Sequence, residues 1–264
     1  LFVFSNAIML ACRSLGGSAI GFFGRRPLFS AEAGEANVMQ WPDLVIFDCD
    51  GVLVDSEQIA LRQVRQALGE AGLTLTHAEA IDRFLGLSLD SIIQKAEAEL
   101  SGSLPGAFRD DLSRDILARF SAELKGISGV RQAVGALSCK VCVASSSSLD
   151  RIRLSLSVVG YDSLFEPNIF SATMASRGKP HPDLFLHAAR AMGTPPERCL
   201  VIEDSAPGVT AAVRAGMPVF GFVGGSHFSG LAQAERLRGV GAALIFDDMS
   251  QLPPLIAQRF GEIP

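Results

Sequence analysis

The stretch LVIFDCDGVLVDSE, Leu44 to Glu57, decides the fold. Its first four residues form a short unbroken apolar run, as expected of a parallel strand covered on both faces. Asp48 and Asp50 stand where that run stops, and carboxylates at the end of a buried strand cost free energy unless something binds them. Side chains alternate along extended chain, so Asp48 and Asp50 share a face while Cys49 points the other way and reads as packing. Gly51 lets the chain turn. Asp55 or Ser56 can then cap a helix, predicted over about 57–71 from Ile59, Ala60, Val64, Ala67 and Leu68 and ended by Gly72.

Beyond that helix, residues 74 to about 125 contain no strand-like run. THAEAIDRFLG, started by Thr76, then LDSIIQKAEAEL and FRDDLSRDILARFSAEL read as three more helices. Strand and helix signals then alternate. The strands are KVCVAS (140–145), a short NIFSA (168–172), CLVIED (199–204), PVFGFV (218–223) and ALIF (243–246), with helical LDRIRLSLSVVG, HPDLFLHAARAMG and APGVTAAVRAGM between them. This alternation predicts an α/β fold, a parallel sheet with helices on both faces that binds ligands at the carboxyl ends of its strands. The organisation that follows is a core of residues 41–56 and 126–264, with a helical cap of residues 57–125 inserted after the first strand.

Residues 1–40 read as an N-terminal extension containing Arg13, Arg25 and Arg26 and rich in Gly, Ser and Phe. Three origins are open: a targeting leader poor in acids, sequence upstream of a true start at Met39, or a structured addition. Its apolar runs are shorter than the roughly 20 residues of a bilayer span, so no membrane partner is expected. The 264 residues carry a formal net charge of −5, with no stripe of Lys and Arg interleaved with aromatics, which argues against a general nucleic-acid binder. Five irregularly spaced cysteines form no disulfide framework and point to a reducing, cytoplasmic setting. Cys139 and Cys142 make a C-x-x-C, but it leads into a strand and no second pair completes a zinc site.

The strand ends carry the chemistry. The first delivers Asp48 and Asp50, the second Ser145 in ASSSS, and the strand at 199–202 delivers Glu203 and Asp204 in VIEDS. Lys179 stands in RGKPHPD before a helix. Clustered carboxylates repel each other unless a cation is present, and oxygen ligands without histidine suit Mg²⁺. A lysine and a hydroxyl beside it suit a phosphate. One carboxylate can attack phosphorus, while a second supplies the leaving group's proton and later takes one from water. An EF-hand reading of the D-x-D fails, because Gly51 comes early and Val52 and Ile59 stand where oxygen ligands are required.

In order, D-x-D-G-x-x-x-D-S, a strand ending in Ser, K-P and E-D-S resemble the four motifs of the haloacid dehalogenase superfamily, over about 43–248. The helical insert after the first motif is similar to the subgroup of sugar-phosphate phosphatases and β-phosphoglucomutase. The resemblance implies a Rossmann-like, doubly wound parallel sheet with an inserted helical cap. It implies Asp48 as nucleophile and Mg²⁺ ligand, and Asp50 as general acid/base with its backbone carbonyl on the metal. Asp204 is then a metal ligand, and Glu203 another, directly or through water. Ser145 and Lys179 would hold the phosphoryl group, helped by the backbone N–H of Ser146. Substrate contacts are expected from Arg62, Arg83 and the cap loop with Leu85 and Gly86, and from Gly51 on the core side.

The expected activity is a Mg²⁺-dependent phosphatase, monomeric, acting on a small phosphorylated metabolite such as a sugar phosphate, 6-phosphogluconate or phosphoglycolate. A phosphosugar mutase is the alternative. Against it, Ala60 stands where that mutase carries a histidine, and Leu85 where its cap loop carries a lysine. Dehalogenases of the superfamily lack the second aspartate, which is present here as Asp50. A non-catalytic binding module on the same fold is the second alternative. His227, in GGSHF, is a candidate for the pocket rim, while His77, His181 and His187 read as helix-surface or cap residues.

Overall fold

The computed structural model describes residues 42–228 and 231–261, so the expectations for residues 1–40 fall outside it. The described strands are β1 (Leu44–Phe47), β2 (Lys140–Ser145), β3 (Ile169–Ser171), β4 (Cys199–Glu203), β5 (Val219–Phe222) and β6 (Leu244–Phe246). They form one all-parallel sheet in the order β3-β2-β1-β4-β5-β6. The short NIFSA run does form a strand, at its edge.

Alternation along the strands builds two cores. Val45 and Phe47 of β1 face one side with Val143, Leu200 and Ile202. Leu44 and Ile46 face the other with Cys142, Ala144, Cys199 and Val201. Both faces are buried, which is why β1 reads as an unbroken apolar run.

Five helices lie between β1 and β2: α1 (Glu57–Glu70), α2 (His77–Phe84), α3 (Leu89–Leu100), α4 (Phe108–Glu123) and the short α5 (Val130–Gly135). After β2 come α6 (Leu149–Val158), α7 (Asp162–Phe165), α8 (Asp183–Ala191), α9 (Ala206–Arg214), α10 (Leu231–Gly239) and α11 (Leu252–Phe260). Helices α6 and α11 cover the first face with Ile152, Leu156 and Ile256. Helices α8 and α9 cover the second with Leu184, Phe185, Val209 and Ala212. The first four helices pack on one another, α1 on α4 through an apolar stripe that includes Val64, Leu68, Leu112 and Phe120, and α4 also touches α6.

Side chains cap α2, α3 and α9, while α1, α4, α5, α6, α7, α8 and α11 start without a side-chain cap. Thr76 makes a capping box on α2, its hydroxyl accepting from Glu79 N at 3.2 Å while Glu79 Oε2 accepts from Thr76 N at 2.8 Å. At α1 the expected cap is not made. Ser56 occupies the N-cap position, but its hydroxyl donates to Asp50 Oδ1 at 2.5 Å. Asp55 instead accepts from Ser226 N and Oγ at 3.1 and 2.9 Å. The Ser56 hydroxyl gives the buried Asp50 carboxylate a donor beside Ser147 and Arg151, and a hydrogen bond to a buried charge is worth more than a helix cap.

Strand β1 is flanked by β2 on one side and β4 on the other, so the connections leave it in opposite directions. Such a switch point opens a crevice at the carboxyl ends. Phe47 is level with Val143 and Ile202, which brings Asp48, Ser145 and Glu203 to one end of the sheet.

Candidate active site

Asp48 extends the ladder one residue past β1, its N–H donating to Ile202 O at 3.0 Å. Lys179 reaches it from the loop before α8. Its Nζ donates to Asp48 Oδ1 at 2.9 Å, Glu203 Oε1 at 2.6 Å and Ala144 O at 3.2 Å, so all three ammonium hydrogens are used. Burial works against the ammonium, but Asp48 and Glu203 outweigh it and hold Lys179 above its usual range. The other oxygen of Glu203 accepts from Ser205 N and Oγ, both at 2.9 Å, and Ser205 Oγ in turn caps α9 by accepting from Gly208 N at 3.1 Å.

Asp204 is less well served. Its Oδ2 is buried and accepts no hydrogen bond. His227 Nε2 lies 3.2 Å away but is not aligned to donate. Burial lowers the His227 pKa, so the ring is neutral and the contact is not a salt bridge. Carboxylate oxygens of Asp48, Glu203 and Asp204 lie within 4.8 Å of one another. Burial pushes Asp48 well above the usual carboxylate range, Lys179 pulls it back in part, and Glu203 and Asp204 push it further up. For Asp204 the upward causes are burial and then Glu203. One lysine against three buried carboxylates, with one oxygen lacking a donor, is an arrangement that a hard cation fits.

Gly51 is required by this cluster. Its φ is +78°, and a Cβ there would stand 1.9 Å from Asp204 Oδ2. It acts by making room rather than by lining the cavity. Gly51→Ala is expected to carry the left-handed backbone penalty of about 1–2 kcal/mol and to push Asp204 out of the cluster. Thermal unfolding with and without a divalent cation checks this. The variant should lose both stability and any cation-dependent increment, and an undiminished increment would count against the placement of Asp204.

Asp50 faces a different set of donors. It accepts from Ser56 Oγ at 2.5 Å, Ser147 Oγ at 2.6 Å and Arg151 Nη2 at 2.8 Å. Burial raises its pKa, but the Arg151 charge and the two hydroxyls outweigh burial and hold the carboxyl below its usual range. Arg151 lies over the Phe120 ring at 4.8 Å, so α4 and the core both fix it.

A cavity of about 310 Å³ opens over these groups. Asp48, Asp50, Ser145, Ser146 and Arg151 line it from the core, and Glu57, Gly86, Ser88, Asp90 and Arg109 from the helical insert. Ser145 is buried, and its Oγ accepts from Ser147 N at 3.1 Å. Gly86, at φ +73°, lets the loop close on the core, since a Cβ there would meet Ser205 Cβ at 2.5 Å.

Three expected substrate contacts lie elsewhere. Arg62 is exposed on the outer side of α1 and pairs with Glu123 at 2.5 Å. Arg83, in the last turn of α2, pairs with Glu99 across to α3. Leu85 joins Arg83 along a separate small crevice with Lys95 and Arg236. His227 is buried behind Asp204 and is not part of the cavity wall. Cys49 is buried in the core, its thiol pushed up by burial, which fits packing and not attack.

Glu57, Ser147, Arg151 and Arg109 were not anticipated. Glu57 carried a legible signal. With Ala60, Leu61, Val64 and Leu68 it continues the buried stripe of α1 at helical spacing, so it is a charge on an apolar face.

The profile of the family described as haloacid dehalogenase-like hydrolase matches residues 45–222. The 6-phosphogluconate phosphatase of Escherichia coli (strain K12) is 32% identical over 222 residues, 84% of this chain and 97% of the relative. A solved haloacid dehalogenase-like protein of unknown function from Agrobacterium tumefaciens superposes with a TM-score of 0.71 at 40% identity, covering 82% of this chain and 98% of that one. A HAD family hydrolase from Deinococcus radiodurans, solved with bound phosphate and sodium, gives a TM-score of 0.66 at 32% identity, with 85% and 99% covered. On a profile that spans most of the sheet, and on relatives matched over nearly their whole length, this chain belongs to the haloacid dehalogenase-like hydrolases.

Proposed function

We propose that the protein is a Mg²⁺-dependent phosphatase that hydrolyses a small phosphomonoester, a sugar phosphate or phosphorylated sugar acid, through a phosphorylated Asp48. The observation that carries this is the grouping of Lys179, Glu203 and Asp204 around Asp48, with Asp50 on the wall of the same cavity. The similarity to a 6-phosphogluconate phosphatase supports the substrate class.

Asp48, Glu203 and Asp204, with the Asp50 carbonyl, would hold Mg²⁺, which when bound neutralises charge on the phosphoryl oxygens. Lys179 and Ser145 orient the phosphoryl group for attack by Asp48. Asp50 gives the leaving oxygen its proton and takes one from the water that attacks next. In the free protein Arg151 favours the ionised Asp50. A phosphate dianion entering beside it offsets that pull and lets Asp50 take up the proton it must deliver. Helices α1–α4 act as the cap that keeps bulk water from the reacting centre. Among the described residues no helix is long and apolar enough to cross a membrane.

The mutase alternative gains nothing from the geometry. Ala60 and Leu85 lie outside the walls of the main cavity, so nothing at these two positions supports the mutase reading. The test is phosphate release from a panel of sugar phosphates and phosphorylated sugar acids. Turnover with Mg²⁺, its loss in EDTA and its return on adding Mg²⁺ are expected. Ligand binding without turnover across the whole panel would instead leave a binding module.

A further inference from the structure

Glu57 is a buried carboxyl that the reaction above does not use. It opens α1, is 9% exposed, and lines the cavity beside Asp50. Among the described residues nothing hydrogen-bonds or pairs with its carboxyl. Behind it lies a small space of about 40 Å³ walled by apolar residues that include Val64, Phe84, Ile92 and Ile116. Glu57 therefore stands where the apolar interior of the helical insert meets the polar cavity over the strand ends. Burial, with Asp50 and Asp204 close by, pushes its pKa up to about 8.

A carboxyl in that place is costly to the free protein, because it is shielded from much of the solvent and has no hydrogen-bond partner among the described residues. A partner from outside the chain removes the cost. The phosphoryl group is already held by Lys179 and Ser145 in the reaction above, which leaves Glu57 to the group esterified to it. A hydroxyl is suited to it, because the carboxyl keeps an oxygen that accepts an O–H whether it is protonated or ionised.

We propose that Glu57 binds a hydroxyl on the substrate's carbon chain and so selects polyhydroxylated phosphomonoesters over unsubstituted ones. This rests on the phosphatase reading and makes it more specific. Asp48 and Lys179 hold the phosphoryl end, and Glu57, lining the same cavity from the start of α1, reads the group attached to it. A site built to hydrogen-bond a hydroxyl rejects an analogue lacking it, because the buried group is then left unpaired.

The test compares glucitol 6-phosphate with hexyl phosphate, which has the same chain length and no free hydroxyl. The wild type and Glu57→Leu and Glu57→Gln variants are assayed with Mg²⁺. The ratio of kcat/KM for the two esters is expected to fall about 100-fold in Glu57→Leu, with Glu57→Gln intermediate because its amide oxygen still accepts. The ligand-free Leu variant should also unfold at or above the wild-type temperature, since an unpaired buried carboxyl has gone. A ratio unchanged in Glu57→Leu would overturn the inference alone. A wild type that releases phosphate from neither ester, nor from any member of the sugar-phosphate panel, would overturn the phosphatase reading and this inference with it.

Discussion

Asp48→Asn is expected to lower phosphate release by at least about 10⁴-fold with the fold intact. The amide matches the carboxylate in shape but cannot attack phosphorus to form an acyl phosphate. The structure gives it room, because Lys179 keeps two of its three acceptors, Glu203 Oε1 and Ala144 O. Losing one of three buried carboxylates within 4.8 Å also relieves repulsion, so the melting temperature in EDTA should stay level or rise. The two readouts together separate a lost nucleophile from a lost fold. Initial rates and thermal unfolding on the same preparation measure both. Activity within tenfold of wild type would mean that another group attacks.

The residues that meet at the strand ends were legible because two independent rules agree on them. Apolar runs located β1, β2 and β4, and the parallel-sheet rule then placed Asp48, Ser145 and Glu203 at one end of the sheet. Lys179 came from its position before a helix and from the chemistry of the set, because a lysine and a hydroxyl beside a metal suit a phosphate. The helical insert was harder to read. Its helices follow from periodicity, but which long side chain reaches the cavity depends on how each helix is rotated on its neighbours. Arg62 lies off the buried stripe of α1 between Ala60 and Val64, so the helix pattern already turned it outward. Arg109 enters through the start of α4, where the packing of α3 and α4 brings Asp90 to within 2.6 Å of it. No local pattern encodes that meeting. The diversion of Ser56 from capping is a further case. Its cause is the buried Asp50 carboxylate, whose other donors, Ser147 and Arg151, come from residues 97 and 101 positions along the chain.

Lys179→Met is expected to be the most destabilising single change in the site. The Lys179 side chain is 2% exposed and paired with two carboxylates that are themselves buried. Methionine preserves most of the stem and its packing but leaves Asp48, Glu203 and Asp204 with no buried positive partner. Breaking a buried pair from one side costs about 3–5 kcal/mol, since the charges left behind stay desolvated. The ammonium also lies 4.9 Å from the Phe185 ring centroid, a smaller contribution that goes with it. Activity should be lost, because nothing then orients the phosphoryl oxygens opposite Asp48. The cation dependence should grow, since uncompensated carboxylates gain more from Mg²⁺ than neutralised ones, and a ligand that binds the folded state raises its stability by mass action. Unfolding curves in EDTA and in Mg²⁺ therefore carry the test. The variant should melt well below wild type in EDTA and recover a larger share of the difference in Mg²⁺. Equal melting temperatures in EDTA would mean that the carboxylates take up protons instead of staying charged, which would remove the electrostatic basis for a resident cation at this cluster.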